Sequence, residues 1–230
     1  MIFDIRYMLF VLIPGMIISG IASFLVRSAF NKYSKVRSRN GLTGAEAAQR
    51  LLDGAGIHDV QVVPVDGYLS DHYDPSRKLL ALSPGVYSSN SVAAIGVATH
   101  EAGHAIQHAR GYSPLKLRSA LVPVAGFGSS AGLWVMAIGL AIGPTMVAIG
   151  AGIFALWLLF QLVTLPVEFD ATARAKQLVV ESGIIYPDER KGMDRVLNAA
   201  ALTYVAGAIT TLLTLVYYLH RAGLLGGSDD

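Results

Sequence analysis

His100, Glu101 and His104 stand in the order H-E-x-x-H, inside the stretch Ala98-Thr99-His100-Glu101-Ala102-Gly103-His104-Ala105-Ile106-Gln107-His108. On a helix, residues four apart differ by about 40° in azimuth and one turn in height, so the two imidazoles project together. Each can give one nitrogen to a single Zn²⁺ at about 2.0–2.1 Å. Glu101, one step round, can reach a water on that ion without becoming a ligand. Zinc brings the pKa of such a water toward about 7. A carboxylate can take its proton as it attacks a peptide carbonyl, then pass the proton to the leaving amine. The chain has 6 histidines among 230 residues, so chance is a poor account of this spacing. It has no cysteine, which excludes disulfides and thiolate ligands and leaves His, Asp and Glu to hold any metal.

Catalytic zinc usually has three protein ligands. His108 lies four residues beyond His104 and is a candidate third ligand or outer partner; its plainer reading is a C-terminal helix residue whose charge suits the macrodipole. His72, in Ser70-Asp71-His72-Tyr73-Asp74, could orient substrate or ligands, although polar residues beside a turn are common. Past the third apolar run the chain reads Leu165-Pro166-Val167-Glu168-Phe169-Asp170. These acids also suit the first turn of a helix opened by Pro166. Glu168, the first of them, is the expected third ligand, with Asp170 in reserve.

These residues sit in an apolar chain. Apolar residues make up 53% of it and charged ones 15%, against about 25% charged in a soluble domain. Disorder is excluded, and the composition argues against a purely soluble globule. Four uncharged runs, 7–26, 120–142, 146–165 and 199–219, are each long enough to cross a hydrocarbon core of about 30 Å. The first carries Asp4 as well as Arg6 at its start and reads as an uncleaved anchor rather than a secretion signal. Of 18 Lys and Arg, 11 lie between residues 27 and 118, and five more are Arg174, Lys176, Arg190, Lys191 and Arg195. Only Arg6 and Arg221 remain for the other side. Basic loops favour the cytoplasm, so both polar segments are expected inside and both chain ends outside. The net charge of +2 is distributed by topology, which gives no case for nucleic acid.

Segment 27–118 is the only one large enough for a folded extramembrane domain. Thr43 with Glu46 has capping-box spacing, predicting a helix from 44 to about 52 that Gly54 and Gly56 end. Val60, Val62 and Val63 predict a strand broken at Pro64, Asp74-Pro75-Ser76 a tight turn, and 78–82 a returning strand. Ser88–Ser91 supply N-caps for a helix over 92–109, which carries the H-E-x-x-H residues. Segment 166–195 reads as helical, and 226–230 as a polar tail. Small residues such as Gly139 and Gly143 suit helix packing, within one chain or between chains.

The blocks Gly41-Leu42-Thr43-Gly44-Ala45-Glu46, Asp71-His72-Tyr73-Asp74-Pro75, His100–His108 and Gly111-Tyr112-Ser113-Pro114-Leu115-Lys116-Leu117-Arg118 resemble the putative neutral zinc metallopeptidase family of bacterial membranes. So do Phe160-Gln161-Leu162-Val163-Thr164-Leu165-Pro166-Val167-Glu168-Phe169 and Leu197-Asn198-Ala199-Ala200-Ala201-Leu202-Thr203-Tyr204-Val205. The resemblance covers nearly the whole chain and implies a multi-pass, zinc-dependent peptidase of the cytoplasmic membrane. More distantly, the order of elements is similar to the membrane heat-shock protease and the CAAX prenyl protease group. That likeness implies a glutamate ligand after a membrane hairpin, which is Glu168. The group usually has Asp four residues later; here that position is Thr172, and Asp170 is displaced by two. The outer partner of the ligands is left open.

The expected architecture is an α+β membrane protein: four transmembrane helices with a small zincin-like cytoplasmic domain carrying the H-E-x-x-H helix and one Zn²⁺ per chain. The leading function is a zinc endopeptidase with Glu101 as general base, acting on protein or peptide substrates associated with the same bilayer. The rivals are an intramembrane zinc protease using Asp170 as third ligand, and a non-enzymatic assembly factor with a structural zinc closed by four ligands.

Overall fold

The structure, a computed structural model, describes residues 4–226; beyond residue 226 the expected polar tail lies outside the described residues. The elements are α1 (Ile5–Tyr33, with a π-wound turn at Met8–Leu12), α2 (Gly44–Gly54), β1 (Gln61–Pro64), β2 (His72–Asp74) and β3 (Leu79–Leu82). They continue with α3 (Pro84–Tyr87), α4 (Val92–Ala109), α5 (Ser113–Ile142), α6 (Pro144–Glu181) and α7 (Arg190–Arg221). Helices α1, α5, α6 and α7 are each long and apolar enough to cross a membrane. All four outrun the apolar runs 7–26, 120–142, 146–165 and 199–219, because polar sequence continues the same helices. Segment 166–195 is accordingly not a separate helical piece. It is the end of α6, a turn, and the start of α7. Pro166, expected to open a helix, lies inside α6.

The chain divides into two compact units, one of Met1–Ala22, Leu117–Leu165 and Thr203–Asp230, the other of Ser23–Lys116 and Pro166–Leu202. In the first, α5 and α6 pack backbone to backbone. A Cβ on Gly139 would fall 2.7 Å from the Val147 nitrogen, so this small residue serves a contact within the chain. Gly143, at φ +148°, makes the turn between these helices that other residues rarely adopt.

The second unit is built around α4. Its start is fixed by Ser91, whose Oγ accepts from the Ala94 amide at 3.2 Å. Helix α2 begins with the expected capping box: Thr43 Oγ1 accepts from the Glu46 amide, and Glu46 Oε2 accepts from the Thr43 amide at 2.8 Å. The sheet has order β1-β3-β2, with β1 parallel and β2 antiparallel to β3. β3 is central, which explains its unbroken apolar run Leu79-Leu80-Ala81-Leu82. Asp74 Oδ1 accepts from the Ser76 and Arg77 amides and closes the expected turn.

Leu52, Leu80, Leu82, Ile95, Ala102 and Ile106 are fully buried in one core. Each large aliphatic side chain there contributes roughly 1.5–3 kcal/mol. The apolar first half of α4 is covered by this core, so its composition needs no lipid to explain it.

Candidate metal centre

Helix α4 supplies His100 and His104, and α6 supplies Glu168. The two imidazoles meet edge to face with ring centres 4.8 Å apart. Glu168 Oε2 lies 3.2 Å from His100 Nε2 and 3.5 Å from His104 Nε2. One donor atom from each of the three residues falls within 4.8 Å of the others. The carboxylate is buried, at 1% exposure.

Close approach of the two helices makes this convergence possible. A Cβ on Gly103, which lies between the histidines, would sit 2.8 Å from the Ala171 carbonyl oxygen. A Gly103→Ala variant gains up to about 1 kcal/mol of helix propensity. It loses about 1–3 kcal/mol to overpacking against a backbone that cannot rotate away. The expected result is a net loss of stability together with weaker zinc binding, read by thermal unfolding and a competitive zinc titration.

Hydrogen bonds fix which imidazole nitrogens face the cluster. Gln107, fully buried, donates from Nε2 to the Val167 carbonyl at 2.8 Å and to Asp170 Oδ2 at 2.7 Å. Two acceptors on that side assign the amide, so its Oε1 turns to His104 Nδ1 at 2.9 Å and accepts from it. His104 therefore carries a proton on Nδ1, which leaves Nε2, on the Glu168 side, as the nitrogen available to a metal. His100 Nδ1 lies 3.2 Å from Thr172 Oγ1 and can donate to it in the same way. Thr172 is the position where the distant resemblance led to an expected aspartate. A neutral hydroxyl there supports the ring without adding charge. Burial works against a charged His104, but the Glu168 hydrogen bond and the Glu101 and Glu168 charges outweigh it and raise its pKa.

The remaining candidates turn elsewhere. Asp170 accepts from Arg174 Nε at 2.5 Å and Nη2 at 3.2 Å, as well as from Gln107. It therefore supports His104 through Gln107 and is not among the three converging residues. His108 Nδ1 lies 2.8 Å from the Tyr73 hydroxyl. The Tyr73 pKa is pushed up to about 12 by burial and by the charges of Asp59 and Asp74, so the phenol keeps its proton in this contact. His72 is exposed on β2 and faces the Ser70 carbonyl at 2.8 Å. Glu101 is partly exposed and makes no hydrogen bond or ion pair with another described residue. Sequence reasoning passed over Gln107 and named Thr172 only as a departure from the related group, without a role. Gln107 stands three residues after His104, on the same helix face, and that spacing was a usable signal.

The family model described as "Putative neutral zinc metallopeptidase" matches residues 8–223. The chain belongs to that family. It is 45% identical over 223 residues, 96% of this chain and 98% of the relative, to "Putative membrane protease YugP" of Bacillus subtilis (strain 168). No solved structure matches it. Zinc is thus the metal the family implies, and the donor set fits it. Ligands about 2.0–2.1 Å from a tetrahedral centre stand roughly 3.3 Å apart; the two separations to Glu168, 3.2 and 3.5 Å, are close to that, and all three donor atoms lie within 4.8 Å of one another. Two neutral imidazoles and one carboxylate are ordinary zinc ligands. For this member of the family, Gln107→Leu, which removes the acceptor from His104 Nδ1 at similar volume, is expected to weaken zinc binding about 10–100-fold. A zinc titration against a chelating dye measures it.

Proposed function

We propose that the protein is a membrane zinc endopeptidase that hydrolyses peptide bonds in proteins held at the same bilayer, with His100, His104 and Glu168 holding the ion and Glu101 as general base. The observation that carries this reading is the convergence, among the described residues, of these three side chains beside a carboxylate with no hydrogen bond or ion pair to a described residue. When bound, zinc supplies a Lewis acid for the scissile carbonyl and acidifies a water toward neutral pH. Glu101 takes a proton from the attacking water and delivers it to the amine nitrogen as the C–N bond breaks. Gln107 holds the His104 imidazole in one tautomer, and Thr172 braces the His100 ring.

A structural zinc is normally closed by four protein ligands. Among the described residues no fourth His, Asp or Glu joins the three, which favours an open, catalytic arrangement over the scaffold reading. Asp170 is engaged by Gln107 and Arg174, which favours Glu168 over the ligand set of the intramembrane alternative. The distribution of Lys and Arg supports a cytoplasmic location for the unit of Ser23–Lys116 and Pro166–Leu202. Substrates tethered to the membrane would then meet the enzyme at raised effective concentration.

The test is incubation of the detergent-purified protein with unstructured casein and with solubilised membrane proteins, products being mapped by mass spectrometry. Cleavage is expected to stop when zinc is stripped by a chelator and to return as about one equivalent is restored. Cleavage that survives complete zinc removal would overturn the reading.

A further inference from the structure

The unit that holds the two chain ends contains a cleft of about 490 Å³, away from the metal centre in sequence and within the usual size range of ligand sites. Helix α1 lines it with Arg6, Phe10 and Val11. Helix α7 lines it with Leu213, Val216, Tyr217, His220 and Arg221. The order of these residues matters. Along both helices the cationic side chains lie at the end nearest the chain terminus, and the apolar ones lie further into the span-length segment. Tyr217 stands at the change, where the amphipathic ring suits a membrane boundary. The lining therefore runs from charged to apolar in the order of a phospholipid, headgroup first.

The charges at the mouth are built in part. Asp4 is ion-paired with Arg221 and accepts from the Tyr217 hydroxyl at 2.6 Å. Arg6 has no ion pair with a described residue. Two guanidinium groups against one carboxylate leave a surplus of one positive charge, which matches a phosphodiester carrying one negative charge. Lower down, the π-wound turn Met8–Leu12 changes the face that α1 presents, and Phe10 and Val11 of that turn form the apolar wall. Such turns are frequent at functional sites.

We propose that this cleft binds an anionic phospholipid, the phosphate at Arg6 with His220 and Arg221 beside it, and an acyl chain along Phe10, Val11, Leu213 and Val216. The proposal rests on α1 and α7 crossing the bilayer and is independent of the peptidase reading.

The experiment is native mass spectrometry of the full chain released from vesicles of equal phosphatidylcholine and phosphatidylglycerol. The wild type is expected to retain about one phosphatidylglycerol in preference to phosphatidylcholine. Arg6→Gln should lower that preference about fivefold, the usual effect of one basic residue on an anionic lipid. Val216→Trp, which fills the apolar end without touching charge, should lower retention of lipid altogether. Lys35→Gln, outside the cleft, should change nothing. Far-UV circular dichroism and gel filtration establish that each variant is folded, and Arg6→Lys, which keeps the charge, replaces Arg6→Gln if that variant is not. With Arg6→Lys the preference should persist. Equal retention of the two lipids by the wild type overturns the proposal, as does unchanged retention in Arg6→Gln and Val216→Trp. Glycerol phosphate competing as well as the intact lipid also overturns it, since the apolar wall would then be contributing nothing.

Discussion

Glu101→Gln is expected to lower kcat for peptide hydrolysis by about 10²–10⁴-fold, the usual contribution of a positioned general base, while zinc content stays at the wild-type level. The substitution keeps the side chain's size and hydrogen-bonding reach but removes the group that accepts a proton near neutral pH. Glu101 has no partner among the described residues whose loss would disturb the fold, so the variant should unfold at close to the wild-type temperature. KM should move little, because the lost interaction belongs to proton transfer and not to substrate binding. The measurement pairs steady-state cleavage of a mapped peptide with metal analysis of the same preparation. A variant that keeps zinc and also keeps activity would remove Glu101 from the mechanism. One that loses zinc would make the carboxylate part of the metal site.

The legible parts of the fold are those governed by local chemistry. The capping box at Thr43 and Glu46, the Asp74 turn and the helix Val92–Ala109 each follow from a few adjacent residues. The H-E-x-x-H residues share a helix, so their spacing alone brings His100 and His104 together. What the sequence hid depends on neighbours far along the chain. β2 is three residues with a polar pattern and pairs only because β3 offers it an edge; nothing in His72-Tyr73-Asp74 announces a strand. The span-length helices were legible from uncharged length, and segment 166–195 read as helical, but its continuity with the spans was not legible, since no apolar signal carries the helix past Leu165 or announces it before Ala199. Glu168 was reachable by elimination among acids and by the distant resemblance, and not from any local pattern. Gln107 bonds across 60 and 63 residues to Val167 and Asp170, a pairing that no local pattern encodes. The supporting hydroxyl of Thr172 was obscured by looking for a carboxylate at that position.

Glu168→Ala should abolish stoichiometric zinc, whereas Asp170→Ala should retain it. In four-ligand zinc-finger sites, about 10–16 kcal/mol of zinc binding is about 2.5–4 kcal/mol for each ligand, so by that scale losing one ligand here weakens binding by about 10²–10³-fold. The loss also leaves His100 and His104 facing a buried space without the carboxylate that now lies 3.2 and 3.5 Å from their Nε2 atoms. Asp170 acts at one remove, through Gln107, and its removal also frees Arg174, which has solvent within reach. Its effect belongs to the about 10-fold end of outer-partner losses. A chelator-buffered zinc titration of both variants separates these magnitudes cleanly. Zinc kept by Glu168→Ala and lost by Asp170→Ala would exchange the two roles, requiring Asp170 to leave Gln107 and Arg174 and swing toward the histidines when metal binds. That movement would have to break three hydrogen bonds at 2.5, 2.7 and 3.2 Å, while Glu168 already lies beside both histidines.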